Sequence, residues 1–242
     1  MRYTHNIKII RKRKHALTLS IIFTLFLIVL IFILGFTVLD AHRFFLGFLA
    51  SLTRVSIAYI LSVIIAVLLT LFVSSSNKVE SISLPILDVL QSFPSFALFP
   101  LLLVWFGKTA IVTIFILVIS MIWPILFTLI TAQKQIKSDL IEAAKIFGAT
   151  GWKYLVFILF PLLLPAIATG SIVAWGEAWE TIIAAEIIVS VPGVGTYLAN
   201  AGTTNQIHVL IIGILLLLLI LFIFNKYVWL SLLNISTKYQ QE

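Results

Sequence analysis

The sequence predicts an all-α integral membrane protein with about six transmembrane helices, because its apolar residues form separate runs of bilayer-spanning length. Of the 242 residues, 62% are hydrophobic and only 10% are charged. A water-soluble domain needs far more charge to build its surface. Crossing a bilayer core about 30 Å thick takes roughly 20 apolar residues per helix, so this length leaves no room for a soluble domain.

A basic N-terminus, residues 1–15, precedes the first apolar run, residues 16–36. This arrangement also fits a signal peptide, in which a positive segment precedes a short apolar one. The run is longer than an ordinary signal core, however, and no small-x-small cleavage site follows Leu34-Gly35-Phe36. We therefore expect an uncleaved first transmembrane helix.

Five further apolar runs predict the remaining spans: residues 52–73, 84–106, 109–132, 154–175 and 207–230. A short tail, residues 231–242, follows the last one. The stretch 176–206 is not a clean span, because it carries three glutamates and the turn-rich segment 191–195. We expect a broken, partly re-entrant helix there, since irregular backbone at membrane depth must pack in protein or line a wet cavity.

The distribution of basic residues predicts the orientation. With the N-terminus inside, 13 of the 16 Lys and Arg residues lie on the cytoplasmic side, and only Arg43, Arg54 and Lys108 lie outside. Basic residues are retained on the cytoplasmic side of membranes. We therefore expect both termini in the cytoplasm, in a plasma or inner membrane. No basic soluble face is left for nucleic acid.

A polar segment between the fourth and fifth spans, residues 133–152, predicts a short cytoplasmic helix. Asp139 can cap it while Glu142 reaches back, and Gly148 supplies a left-handed stop. An apolar stripe runs along it at positions i, i+3, i+4 and i+7: Leu140, Ala143, Ala144 and Phe147. Such a stripe either docks in a partner's groove or lies on the membrane or under the protein's own spans.

These residues carry a family resemblance. Glu142-Ala143-Ala144, Gly148 and Ile158-x-Phe160-Pro161 resemble the motif EAA-x3-G-x9-I-x-L-P of ATP-binding-cassette importer permeases, with Phe160 in place of Leu. The resemblance extends from about residue 49 to residue 216. Stretches at 50–55, 97–107 and 184–195 resemble the branch that imports nitrate, sulfonates, taurine, bicarbonate or thiamine precursors.

The resemblance implies a type I importer permease fold with a core at residues 49–230 and a coupling helix at 139–148. It implies cytoplasmic ATPase subunits, a second permease copy or related chain, and an extracellular or periplasmic solute-binding protein. The function so implied is the membrane subunit of an ATP-driven importer of a small polar solute. The ATPase-coupling residues implied are Glu142, Ala143, Ala144, Phe147, Gly148 and Pro161.

The sequence itself predicts neither an enzyme nor a cofactor site. It contains no G-x-x-x-x-G-K-[ST] loop for the phosphates of ATP, so ATP and Mg²⁺ are expected on a partner subunit. His5, His15, His42 and His208 lack the spacing of metal ligands.

Polar groups within the spans are candidates for a translocation pathway, because burying them in lipid is costly: Gln91, Ser92, Ser95, Trp175, Glu177, Trp179, Glu180 and Glu186. Glu177 and Glu180 share a helical face, and Glu186 points the opposite way on an unbroken helix. An outer vestibule with Glu177 and Glu180 favours a neutral or cationic solute. The alternative is structural pairing, for instance with Arg54, or exposure to water.

Two other functions stay open at this point. One is a membrane scaffold whose cytoplasmic helix recruits a soluble partner without transport. The other is a proton-coupled secondary transporter, in which Glu177, Glu180 or Glu186 carries the coupling proton.

Overall fold

The computed structural model describes residue 23 and residues 40–233. Most of the predicted first span, residues 16–36, and nearly all of the predicted tail, residues 231–242, lie outside the described residues. The part of the chain that the structure describes is helical and contains no β-strand. The predicted all-α class is confirmed.

Eight α-helices follow one another in the described residues. They are α1 (Ala41–Val73), α2 (Asn77–Gln91), α3 (Phe99–Phe106), α4 (Ala110–Lys134), α5 (Ser138–Ile146), α6 (Trp152–Val189), α7 (Val194–Thr203) and α8 (Ile207–Leu233). A 3₁₀ turn, Ser95–Leu98, precedes α3. Single π-helical segments interrupt α6 at Leu155–Leu159 and α8 at Asn225–Trp229.

Four of these helices, α1, α4, α6 and α8, are long and apolar enough to cross a membrane, and the pair α2 and α3 brings the number to five. The sequence predicts one span at residues 84–106, but the structure bends it by 80° between Gln91 and Ser95. Pro94 lies in the break. Proline has no N–H and disfavours the helical conformation of the residue before it, so a break is favoured at this position.

The fifth predicted span is longer than expected. Instead of ending near Trp175, α6 continues to Val189, and all three glutamates lie in one unbroken helix. The expected break comes after them, where Ser190 adopts a left-handed conformation with φ 61° and ends the helix. Pro192 and Gly193 then lead into α7.

The bundle is centred on α4 and α6, which pack along most of their length, with α1 against α4. Gly170 of α6 makes the closest approach, since a Cβ there would lie 2.8 Å from the Ile125 Cα atom of α4. The chain runs in opposite directions in α1 and α6: the Tyr59 and Ser171 hydroxyls are 2.8 Å apart near the middle, and the earlier Ser51 of α1 contacts the later Glu186 of α6. We call the end of the bundle where α4 leads into α5 the α5 end, and the opposite one the α7 end.

An aromatic cluster joins α8 to this bundle. The Trp175 ring stacks on Phe224 with centroids 4.8 Å apart, and Tyr59 and Trp229 contact it edge-on. At the α7 end, Gly213 of α8 lies against Leu198 of α7. Thus α8 follows the direction of α1 and closes the α6 side of the bundle.

Candidate functional site

The short helix predicted in the polar segment is present as α5, with different capping. Lys137 occupies the N-cap and makes no side-chain capping bond, while Asp139 lies in the first turn. The predicted capping by Asp139 is therefore wrong, although a carboxylate in the first turn still suits the helix dipole. The predicted stop is confirmed: Gly148 has φ +75°, and the Ala149 N–H donates to the Ala144 carbonyl over 2.9 Å.

The apolar stripe on α5 is divided between two environments. Ala144 is only 6% exposed and packs inward, whereas Leu140 is 48% exposed. The largest exposed groups lie at the end of the helix, where Ile146 is 82% and Phe147 is 89% exposed. Glu142 is exposed as well. The face with Ala144 is therefore shielded from solvent, whereas the end of the helix presents an apolar tip outward.

The end of the same motif alters the start of α6. Pro161 cannot donate a backbone hydrogen bond, and the turn before it, Leu155–Leu159, is π-helical. In this turn the Phe160 N–H donates to the Leu155 carbonyl five residues back. Such π segments commonly accompany functional sites. Pro161 is exposed and lies at the α5 end, close in sequence to α5.

The polar residues at the bend between α2 and α3 lie together. The Gln91 side-chain amide donates to the Asp88 carboxylate over 2.7 Å, and the Ser92 hydroxyl donates to the Asp88 carbonyl over 3.0 Å. Gln91 and Ser92 are exposed, and Ser95 is partly buried. This bend therefore presents polar groups on the surface of the single chain.

The glutamates of α6 lie on opposite sides of the helix. Glu177 and Glu180 are exposed, and no ion pair to either occurs within the described residues. Trp175 and Trp179 lie on the other side, buried in the core, where Trp179 stacks on Phe48. The two tryptophans thus do not share the exposed face of the carboxylates.

Glu186 is fully buried and accepts hydrogen bonds through both oxygens. Its Oε1 atom accepts from the Arg54 guanidinium over 2.6 Å and from the Ser51 hydroxyl over 2.7 Å. Its Oε2 atom accepts from the Gly195 N–H over 2.9 Å. The alternative pairing of Arg54 with Glu177 or Glu180 is therefore wrong, because the Arg54 guanidinium lies against Glu186.

Two glycines make room for this cluster. A Cβ on Gly193 would lie 2.0 Å from the Glu186 Cδ atom, and a Cβ on Gly195 would lie 2.5 Å from the Ile183 carbonyl oxygen. No side chain fits at these distances. The turn Val191–Gly195 can therefore lie directly on the carboxylate, which explains why this segment contains glycine at both positions.

A cavity of about 540 Å³ opens beside this turn at the α7 end. Its walls come from α1, the end of α6, the turn that follows it and α7, and include Arg43, Ser190, Pro192, Tyr197 and Asn200. A smaller cavity of about 310 Å³ shares Arg43, Tyr197 and Asn200 with it. Within the described residues, no group of three His, Cys, Asp or Glu side chains could hold a metal ion.

The spanning helices and their apolar surfaces define a multi-pass membrane protein. Residues 58–231 match the family model described as the binding-protein-dependent transport system inner membrane component. The chain belongs to this family. Membership agrees with the motif around α5, which the sequence resemblance singled out.

Several relatives are transport permeases. The taurine transport system permease protein TauC of Escherichia coli (strain K12) is 29% identical over 72% of this chain and 63% of its own length. The bicarbonate transport system permease protein CmpB of Synechocystis sp. is 34% identical over 69% and 60%. The nitrate import permease protein NrtB of the same organism is 28% identical over 69% and 60%. The chain thus spans less than two thirds of each relative.

Proposed function

We propose that this chain is the membrane-spanning permease subunit of an ATP-driven, binding-protein-dependent importer of a small polar solute. The observation that carries the proposal is α5, a short helix at one end of the bundle whose tip exposes Ile146 and Phe147. Large apolar side chains that are this exposed outside the spans are expected to bind in a groove of a partner protein. The partner is the ATPase subunit, which holds ATP and Mg²⁺.

In this proposal the α5 end faces the cytoplasm and both termini lie there, in the cell membrane. The bias of 13 basic residues against three supports this orientation. A second permease copy or related chain completes the pathway within the lipid bilayer. The solute-binding protein then meets the opposite, α7 end from outside.

The contacts around α5 support a mechanical role in alternating access. The helix is joined directly to two spans, α4 and α6, so a push on its tip reaches both. Lys134, in the last turn of α4, pairs with Glu80 in the first turn of α2 over 2.5 Å. The π segment Leu155–Leu159 gives α6 an irregular turn next to α5. ATPase closure would thus be transmitted from α5 into α4, α6 and α2.

The relatives act on taurine, bicarbonate or nitrate by their names, and we propose a solute of that size class. The pathway candidates that the single chain offers are the exposed residues Gln91, Ser92, Glu177 and Glu180 and the partly buried Ser95. The acidic pair repels a simple anion and favours a neutral solute or one with a positive group. Taurine or a thiamine precursor fits this requirement better than nitrate does.

The test is purification of the tagged protein in mild detergent with identification of the proteins that accompany it. We expect an ATP-hydrolysing subunit with the parent chain, and its loss with Glu142→Arg or Phe147→Ala. Phe72→Ala is the matched control, because Phe72 is also an exposed phenylalanine at the α5 end but lies on α1. If no ATPase accompanies the parent chain, or if Phe72→Ala removes it equally, the proposal fails.

A further inference from the structure

We propose that Arg54 and Glu186 are positioning residues that hold α7 and the Val191–Gly195 turn as a platform for the external solute-binding protein. The inference rests on the proposed function, which places the α7 end outside. It concerns residues whose roles neither the motif around α5 nor the exposed faces explain. They lie 132 positions apart in the sequence.

The first step is the cost of leaving either charge alone. Glu186 is fully buried and the Arg54 side chain is only 12% exposed. A buried charge that loses its partner is strongly destabilising, whereas a pair with its remaining hydrogen bonds satisfied is tolerated. Here the Glu186 carboxylate accepts hydrogen bonds from three donors, one of which is the guanidinium that balances its charge. The two groups therefore stay together while the surrounding helices keep their positions.

The second step is that this one carboxylate connects three helices. Arg54 and Ser51 belong to α1, Glu186 to α6 and Gly195 to the first turn of α7. Ser51 adds a further link, since its hydroxyl also accepts from the Val194 N–H over 2.9 Å. The first N–H groups of a helix have no partners within it. In α7 the N–H groups of Val194 and Gly195 donate to Ser51 and Glu186. These bonds therefore determine where the helix begins and in which direction it runs.

The third step is the surface that depends on this position. The larger cavity at the α7 end has Arg43 of α1 on one wall and Tyr197 and Asn200 of α7 on another. The distance between those walls is set by how α7 is attached to α1. The Arg43 side chain is 80% exposed, and the cavity mouth offers guanidinium, hydroxyl and amide groups. Such groups suit the polar side chains of a protein partner better than lipid.

The first measurement asks whether α7 depends on the pair and needs no partner. The sequence has no cysteine, so spin labels can be placed at Lys108→Cys and Gly202→Cys alone. Both sites are exposed. We expect a narrow label-to-label distance distribution in the otherwise unchanged chain and a clearly broader one with Glu186→Gln. An equally narrow distribution with Glu186→Gln would overturn the inference.

The matched control for this measurement is Thr181→Val. Thr181 lies on α6, five residues before Glu186, and this variant loses a partly buried hydrogen bond between Thr181 and Ser120 of α4, leaving the bonds of Glu186 to α7 in place. We expect its distance distribution to stay narrow. Broadening as large as that of Glu186→Gln would show that α7 responds to any buried polar loss in α6, and the inference would fail.

The second measurement uses the importer reconstituted in liposomes with its ATPase and its co-purifying binding protein, saturated in turn with taurine, bicarbonate and nitrate. With Glu186→Gln, we expect the binding-protein concentration for half-maximal ATPase stimulation to rise about tenfold. Basal ATP hydrolysis and the maximal stimulated rate, both expressed per assembled complex, should be kept. A residue needed only for stability would lower the number of assembled complexes and leave the half-maximal concentration unchanged, which would overturn the inference.

Ser51→Ala tests the same inference if the Glu186→Gln protein does not accumulate in the membrane. This variant keeps the ion pair but removes the acceptor for the Val194 N–H. We therefore expect a broader label-to-label distance distribution, though less broad than with Glu186→Gln, and a rise of about threefold in the half-maximal binding-protein concentration. No change in either measurement would overturn the inference. Absence of an ATPase from the parent complex would instead defeat the proposed function, while the label distances would still report on α7.

Discussion

Gly193 lies against the carboxylate of Glu186 so closely that a Cβ on the glycine would be 2.0 Å from the Glu186 Cδ atom. We therefore predict that Gly193→Ala forces the carboxylate away from at least one of its donors. The expected loss of stability is about 3 kcal/mol, from overpacking together with an unsatisfied buried group. Thermal unfolding in detergent measures it.

Gly202→Ala is the control for this prediction. Gly202 also lies in the α7 region, but an added Cβ there has no neighbour within 4 Å. We expect it to leave the unfolding temperature unchanged or slightly raised, since alanine favours helix by up to about 1 kcal/mol over glycine. Equal losses for both variants would contradict the steric argument.

The Arg54–Glu186 and Lys134–Glu80 ion pairs each join two helices and should differ in their contributions to stability. We predict that Glu186→Gln costs about 3 to 5 kcal/mol, because it leaves a buried guanidinium without its counter-charge. Glu80→Gln should cost less than about 1 kcal/mol, since the Lys134–Glu80 pair is partly exposed, with side chains 48% and 28% accessible, and is screened by water and salt. Thermal unfolding at low and high salt compares them. A larger loss for Glu80→Gln would contradict the prediction.

The contact between α4 and α6 depends on Gly170. We predict that Gly170→Ala destabilises the bundle by about 1 to 3 kcal/mol, because the new Cβ meets the α4 backbone, which cannot move aside as a flexible side chain would. Gly176→Ala, six residues further along the same helix, has open space around its Cβ and should stay within about 1 kcal/mol of the parent. Chemical unfolding in mixed micelles distinguishes the two variants.

The stop after α5 depends on backbone conformation alone. Gly148 has φ +75° with open space around an added Cβ, so Gly148→Ala meets no clash but must adopt a left-handed conformation. That costs about 1 to 2 kcal/mol. We predict weaker retention of the ATPase subunit with Gly148→Ala and partial recovery with Gly148→Asn, since asparagine tolerates this conformation. Equal retention by both variants and the parent would contradict the prediction.

The exposed acidic face of α6 should not contact lipid in the assembled protein. A carboxylate facing the bilayer interior costs a few kcal/mol, so we predict that Glu177→Cys and Glu180→Cys react with a membrane-impermeant maleimide. Ile64→Cys is the control, because Ile64 lies on an exposed apolar face of α1. Reaction at Ile64 without reaction at either glutamate position would contradict the prediction.

The features that were predictable from the sequence are local ones. The left-handed stop at Gly148 depends on a single residue type, and apolar runs of spanning length identify α4 and α8. The sequence predicts the span of α1 from residue 52, because His42 and Arg43 interrupt the apolar run, whereas α1 begins at Ala41. Asp40 is nevertheless the N-cap, and its carboxylate accepts from the Arg43 N–H over 3.1 Å. Aspartate is a preferred N-cap residue, so Asp40 indicates the start of the helix in the sequence, although the length of the apolar run does not.

The buried cluster could not be predicted in the same way. Three glutamates in an apolar stretch indicate an interrupted helix, yet the side-chain partners of Glu186, Ser51 and Arg54, lie more than 130 residues earlier in the chain. Neither helical periodicity nor motif spacing reports such a contact. The one available signal was that Arg54 and Glu186 are both charges within spans, each of which needs a partner.

The contacts of α6 at Trp175 and at Glu186 differ in how strongly they resist sliding of the neighbouring helices. Around Trp175 the rings of Phe224 and Trp229 meet without directional bonds, and the Trp175 and Trp229 Nε1 atoms have no hydrogen-bond partner among the described residues. A small slide of α8 there exchanges one ring contact for another. At Glu186 a slide of α6 past α1 would instead break hydrogen bonds to a charged group. The packing of α8 at the aromatic cluster therefore allows small displacements, whereas the hydrogen bonds of Glu186 hold α7 rigidly.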